Sequence, residues 1–299
     1  MFGNPLLCMV ICLDETSPDA GYYLKTLQRF SSSMGCFLQL DGAPFRYPQL
    51  ELLLDEIDRL GIEGVGIRTG DMLSEPNVAL AAAHRIRSVM LRERAIEVRG
   101  IGCLKKVGVP IEISELITDR ISEQLERMLP LCEEHGIRSI VLENSVIAKY
   151  RGIRVRELEP ERRFMLMKDI VRHNQSSSAV GISLSHCPNK ILLHPERSAG
   201  DPLGGCSAGI VSCATDIDGS IIPCLPLKDF RVGNIVYDDI LSIWNDAPLF
   251  KQLKDRSRLM GTCGRCSYRN SCGGCRAVAY YDSGDIMASD VSCHLCVQN

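Results

Sequence analysis

Long apolar runs are absent. Nothing in the 299 residues approaches the roughly 20 consecutive apolar residues of a membrane helix. The apolar stretch Pro5–Leu13 is too short, and it lacks the basic flank of a secretory signal. A cytoplasmic location is therefore expected. A strong charge of either sign is also missing: 34 Lys and Arg face 37 Asp and Glu, a formal net charge of −3. Nothing in that balance favours nucleic acid or an anionic membrane as a partner. Six histidines (His84, His135, His173, His186, His194 and His294) show no paired metal-ligand spacing. His294, beside Cys293, reads as a solvent-facing loop residue, with ligation as its alternative. The glycines around 200–205 match no phosphate loop. The single Trp244 reads as a core anchor.

Cysteine is what the chain has in excess. Fifteen in a reducing compartment argue against disulfides. Eight fall into short, glycine-punctuated groups: Cys206 and Cys224 around Gly219, then Cys263, Cys266, Cys272, Cys275, Cys293 and Cys296. The others (Cys8, Cys12, Cys36, Cys103, Cys132, Cys187 and Cys213) sit among apolar neighbours and read as small core hydrophobes. A zinc ribbon separates its two C-x2-C pairs by about fifteen to twenty residues. Here five residues separate Cys266 from Cys272, with further cysteines well upstream and downstream. That spacing favours a larger inorganic core reached from several loops, as in iron–sulfur clusters, over one tetrahedral zinc site.

Hydrophobic periodicity sets the rest. Strands are expected over Leu6–Leu13, Cys36–Leu40, Gly64–Thr69, Arg87–Leu91, Val109–Ser114 and Ser139–Glu143. Helices are expected over Ala20–Ser32, Tyr47–Leu60, Pro76–His84, Glu93–Lys106 and Thr118–His135, the last closed by Gly136. The alternation predicts parallel βα units. The charged stretch Tyr150–Arg163 reads as a solvated loop or helix start, followed by a helix to about Arg172 and a strand over Val180–Leu184. Pro188–Gly204, with three prolines, reads as a connection. A hairpin turning at Asp218-Gly219 should follow, then a helical stretch Ile240–Lys254 broken by Pro248.

Cys206-x12-Gly219-x4-Cys224 followed by Cys263-x2-Cys266-x5-Cys272-x2-Cys275 and Cys293 resembles the SPASM domain, the C-terminal appendage of many radical SAM enzymes. Gly233-Asn234-Ile235 and Ser242-Ile243-Trp244 add to the likeness. The resemblance implies two auxiliary clusters, expected as [4Fe-4S]. One would take Cys263, Cys266, Cys272 and Cys293. The other would take Cys206, Cys224 and Cys275, with Cys213, Cys187, a non-cysteine group or substrate as fourth ligand. Cys296 is then a spare thiol or a substitute for Cys293. The implied fold is α/β: an incomplete (β/α)6 radical-SAM-like barrel over 1–186, then a small cysteine-rich SPASM domain over 187–299.

The resemblance weakens at the radical centre. Radical SAM enzymes bind their first cluster through C-x3-C-x2-C, leaving one iron open to SAM. Here Cys8-x3-Cys12 is followed by Glu15 where the third cysteine belongs. Asp41-Gly-Ala-Pro44 stands where the family has Gly-Gly-Glu-Pro, with Ala43 in place of the glutamate. The expected function is an iron–sulfur protein of this type without its own SAM cleavage, relaying electrons or binding a peptide, small molecule or active partner enzyme. The alternatives are an active maturase of a peptide, protein or tetrapyrrole precursor, with Glu15 completing the first cluster, and a zinc-stabilised binding module.

Overall fold

The computed structural model describes residues 8–31, 37–62, 64–70, 73–84, 86–92, 98–176, 178–185 and 205–294. It divides into two compact units, residues 1–114 with 211–250 and residues 115–210 with 251–299. The expected boundary at 187 falls outside the described residues. Among those described, no helix is long and apolar enough to cross a membrane.

The first unit alternates strand and helix: β1 (Cys8–Leu13), α1 (Ala20–Ser31), β2 (Phe37–Gly42), α2 (Leu50–Arg59), β3 (Gly64–Thr69), α3 (Glu75–Ala83), β4 (Ile86–Arg92), α4 (Val98–Lys106) and β5 (Ile111–Leu116). Neighbouring strands β1 to β5 pair in parallel, as the alternation predicts. β1 is central and apolar throughout, with Met9, Ile11 and Leu13 excluded from solvent. On α2 the residues spaced by three and four (Leu50, Leu53, Leu54 and Ile57) form its buried face.

The hairpin forms where expected, as β8 (Ser212–Thr215) and β9 (Ser220–Ile222). It does not stand apart. β8 pairs in parallel with the free edge of β1, Cys8 opposite Ser212 and Ile11 opposite Thr215. A short β10 (Gly233–Asn234) continues the sheet antiparallel to β9. α8 (Ile240–Asp246) starts at Asp239, whose carboxylate accepts from Ser242 N at 3.0 Å and from Arg29 Nε of α1 at 2.9 Å. The helix stops at Ala247, and Pro248 opens α9 (Pro248–Lys254). Trp244 is buried and packs edge-on against Phe250, as an anchor should.

The second unit contains α5 (Ile121–Glu134), β6 (Ser139–Glu143), α6 (Val146–Tyr150), α7 (Pro160–Gln175), β7 (Gly181–Ser185), α10 (Gly261–Arg265) and α11 (Arg276–Ser283). β6 and β7 are parallel, with Ile140 opposite Ile182 and Leu142 opposite Leu184. The stretch expected to be solvated departs from that reading at its end. Arg163 lies on the buried face of α7 beside Leu166, Met167 and Ile170, at 1% exposure, because the α7 periodicity turns it inward.

Candidate iron–sulfur site

The cysteine-rich segment of the second unit is built from two short helices and the turns between and after them. α10 carries Cys263, and Cys266 ends it. A tight turn follows: Arg269 N donates to the Cys266 carbonyl at 3.0 Å and Cys272 N to the Tyr268 carbonyl at 2.7 Å. Cys275 opens α11, and the chain returns through 286–294 with Asp290 and Cys293.

The two glycines between Cys272 and Cys275 are dictated by geometry. Both have left-handed backbones, with φ of 67° and 65°. A Cβ on Gly273 would overlap the Arg256 guanidinium. One on Gly274 would lie 2.9 Å from Cys263 Sγ and 2.7 Å from Arg276 Nη2. The glycine pair thus makes room for two cations and a thiol.

Backbone amides point at the sulfurs. Asp290 N donates to Cys263 Sγ at 3.3 Å, Tyr268 N to Cys266 Sγ at 3.4 Å and Gly274 N to Cys272 Sγ at 3.4 Å. Such donors favour thiolate over thiol and bear on the potential of a cluster held there. Asp290 organises the return. Fully buried, it accepts from Cys275 N at 2.8 Å, from Ser292 N at 2.9 Å and from Ser292 Oγ at 2.6 Å. Burial pushes the Cys272 thiol up to about 12, with Asp290, Cys293 and Cys263 acting in the same direction and the Gly274 N–H opposing. A thiol placed like this ionises when a metal cation supplies the missing positive charge. The donor set therefore suits a metal centre.

Among the described residues, no three His, Cys, Asp or Glu side chains close to the separation one metal ion requires. Zinc, at about 2.3 Å from each sulfur, would draw the thiolates to within about 4 Å of one another. An iron–sulfur core spreads them over several irons.

Of the residues expected to hold the second cluster, Cys206 and Cys275 lie in this same unit. Cys206 N donates to the Cys272 carbonyl at 3.1 Å, and its own carbonyl accepts from Arg256 Nη2 at 2.8 Å. Cys213 is buried in β8 of the first unit, opposite Met9, and Cys224 follows β9 there. Cys187 and Cys296 lie outside the described residues. His294 is not the solvent-facing residue expected. At 7% exposure it stacks on Phe164, centroids 3.9 Å apart, and its Nδ1 has no hydrogen-bond partner.

The residues expected at the radical centre are in the first unit. Cys8 opens β1, Cys12 lies near its end, and Glu15 is exposed in the following turn. The strand separates the two cysteines by about 13 Å of rise. Cys12 is buried against β2, since a Cβ on Gly42 would meet its Sγ at 3.0 Å. At the ends of β2, β3 and β4 stands a charge cluster that sequence reasoning missed. Buried Asp41 accepts from Arg68 Nε at 2.8 Å and from Arg92 Nη2 at 3.2 Å. Arg256, Arg276 and Asp290 were missed too. The glycine pair was the signal for the two arginines, because adjacent glycines between ligands imply close neighbours.

Residues 206–267 match the family model of the SPASM iron–sulfur cluster-binding domain. The chain carries a SPASM domain. Around it, the sequence is similar to the AdoMet-dependent heme synthase of Methanosarcina barkeri, 26% identical over 209 residues, which cover 65% of this chain and 58% of that protein. It is also similar to the mycofactocin maturase MftC of Mycobacterium ulcerans, 35% identical over 95 residues, 30% of this chain and 26% of that one. The chain spans a little over half the length of the heme synthases it matches. Among solved structures, Streptococcus suis SuiB bound to S-adenosylmethionine has a TM-score of 0.74 at 17% identity, covering 97% of this chain and 78% of SuiB. SuiB has also been solved with its precursor peptide SuiA. The α/β fold expected from the sequence is thus the fold of the radical SAM/SPASM enzymes.

Proposed function

We propose that this chain is an iron–sulfur protein of the radical SAM/SPASM type that works without cleaving SAM itself, as an electron relay or a substrate- or partner-binding component of a maturation system. The observation that carries the reading is the placement of Cys8 and Cys12 near opposite ends of one buried strand, with Glu15 exposed beyond it. Ligands of one cluster must converge on a few ångströms, and an extended strand holds residues four apart too far away. The three candidate ligands therefore do not suit a first cluster.

In the SPASM domain, Cys263, Cys266, Cys272 and Cys293 would hold an iron–sulfur cluster, which supplies one-electron transfer when bound. The protein's part is to aim three backbone amides at the sulfurs, hold Asp290 away from solvent and exclude water around Cys263 and Cys275. The peptide partner of SuiB and the names of the maturase relatives favour a peptide or cofactor precursor as the molecule served.

A second reading has its own support. The heme synthases matched over 65% of this chain are AdoMet-dependent, which favours an active maturase. One experiment separates the two: iron, zinc and acid-labile sulfide per chain after anaerobic reconstitution, with 5′-deoxyadenosine formation from SAM under reduction. Iron and sulfide without 5′-deoxyadenosine is the expected result. Formation of 5′-deoxyadenosine would establish the maturase, and zinc without sulfide would leave only a structural module.

A further inference from the structure

We propose that Arg256 and Arg276 are the fixed positive charges that set the reduction potential of the SPASM cysteine site. The inference rests on the iron–sulfur reading above.

The two guanidiniums reach the site from different elements. Arg276 follows Cys275 and is 1% exposed. Its Nη1 donates to the carbonyls of Ile286 at 2.9 Å and Ala288 at 2.8 Å, tying down the return segment. Its Nη2 faces Cys263 Sγ at 3.8 Å. Arg256 lies against Gly273. Its Nη2 is held by the Cys206 carbonyl at 2.8 Å, while Nη1 is out of solvent with no hydrogen-bond partner. An orphaned guanidinium nitrogen beside cysteines is costly unless negative charge comes to it.

A cluster ligated by thiolates supplies that charge and gains one more unit on reduction. Cations held close in a poorly solvated site stabilise the reduced form more than the oxidised one. Arginine keeps its proton at any working pH, so the contribution is constant. The opposing group is Asp290, a buried carboxylate whose oxygens are already occupied by Cys275 N, Ser292 N and Ser292 Oγ. Two cations face one anion, and the balance favours electron uptake. The two arginines differ in kind. Arg276 also builds the fold through its backbone contacts, whereas the Nη1 side of Arg256 acts through charge alone.

The test is a redox titration of the reconstituted full chain, followed by the visible absorption of the oxidised cluster and the paramagnetic signal of the reduced one. Arg256→Gln should load the same iron and sulfide as wild type. It should reduce the equilibrium constant for electron uptake about tenfold, a fall of about 59 mV for a one-electron couple. Arg256→Lys should retain most of the wild-type potential, and Arg256→Met repeats the neutral replacement in a second side chain. An unchanged potential in both neutral variants overturns the proposal. So does a Lys variant that falls as far as Gln, since that outcome assigns Arg256 to packing. So do neutral variants that fail to load iron where Lys succeeds, since that outcome assigns the charge to assembly of the site and not to its potential. Wild-type protein that takes up no sulfide overturns the iron–sulfur reading itself, a distinct outcome.

Discussion

Arg163 and Asp41 present the same physical problem with opposite solutions. Both are buried charges. The Asp41 carboxylate is held by Arg68 and Arg92, whereas all three guanidinium nitrogens of Arg163 lack a hydrogen-bond partner. Breaking a buried pair strands its partner, so Asp41→Asn should cost about 3–5 kcal/mol in urea unfolding. Removing an uncompensated charge does the reverse, and Arg163→Met should raise stability by about 1–3 kcal/mol. A loss of stability in Arg163→Met would mean that the guanidinium is compensated in solution. Neither environment was legible beforehand. Arg163 stands in a run dense with charges, and only the phase of α7 directs it inward.

At the scale of elements, β1 and α8 are the informative cases. Cys8-x3-Cys12 looks like half of a ligand motif in the sequence, but four residues mean about 13 Å on a strand and about 6 Å on a helix. The conformation therefore decides what the spacing means. Cys8→Ser and Cys12→Ser should leave iron and sulfide per chain at the wild-type value, and a loss of about four irons in either would restore the first cluster. The start of α8 couples a helix cap to an ion pair. Arg29 holds the Asp239 carboxyl at about 2, with burial opposing and Ser242 assisting. A depressed carboxyl stabilises the fold fully above its unfolded value of about 3.9, and that contribution disappears as pH falls towards 2. Stability should therefore drop between about pH 4 and pH 2 in wild type, with a shallower slope in Asp239→Ala. That variant should also lose about 1 kcal/mol at neutral pH through the missing cap. Equal acid slopes in the two proteins would exclude the pair as a contributor.

For the molecule as a whole, the first unit has an apolar sheet core, whereas the 261–294 segment relies on short helices, turns and thiols. Metal binding and local folding should be linked there. Removing iron by oxidation and chelation should speed amide exchange across 261–294 by at least tenfold and leave β1, β2 and β3 protected. Uniform protection in both forms would mean that the segment folds without its metal.

The sequence by itself determined the α/β alternation, because apolar periodicity is a local property that each element carries whole. It determined the cysteine motif for the same reason: ligand spacing within a turn is set by the few residues between. It also contained the break before Pro248 and the turn at Gly219. Tertiary structure alone decided that the hairpin adds its first strand to the edge of β1, since an unpaired backbone edge accepts any strand of compatible register and marks no residue in advance. It alone decided that Arg256 meets Gly273 and that Cys206 meets Cys272. Contacts between residues far apart in the chain depend on how packed elements are placed, and no local pattern encodes that placement.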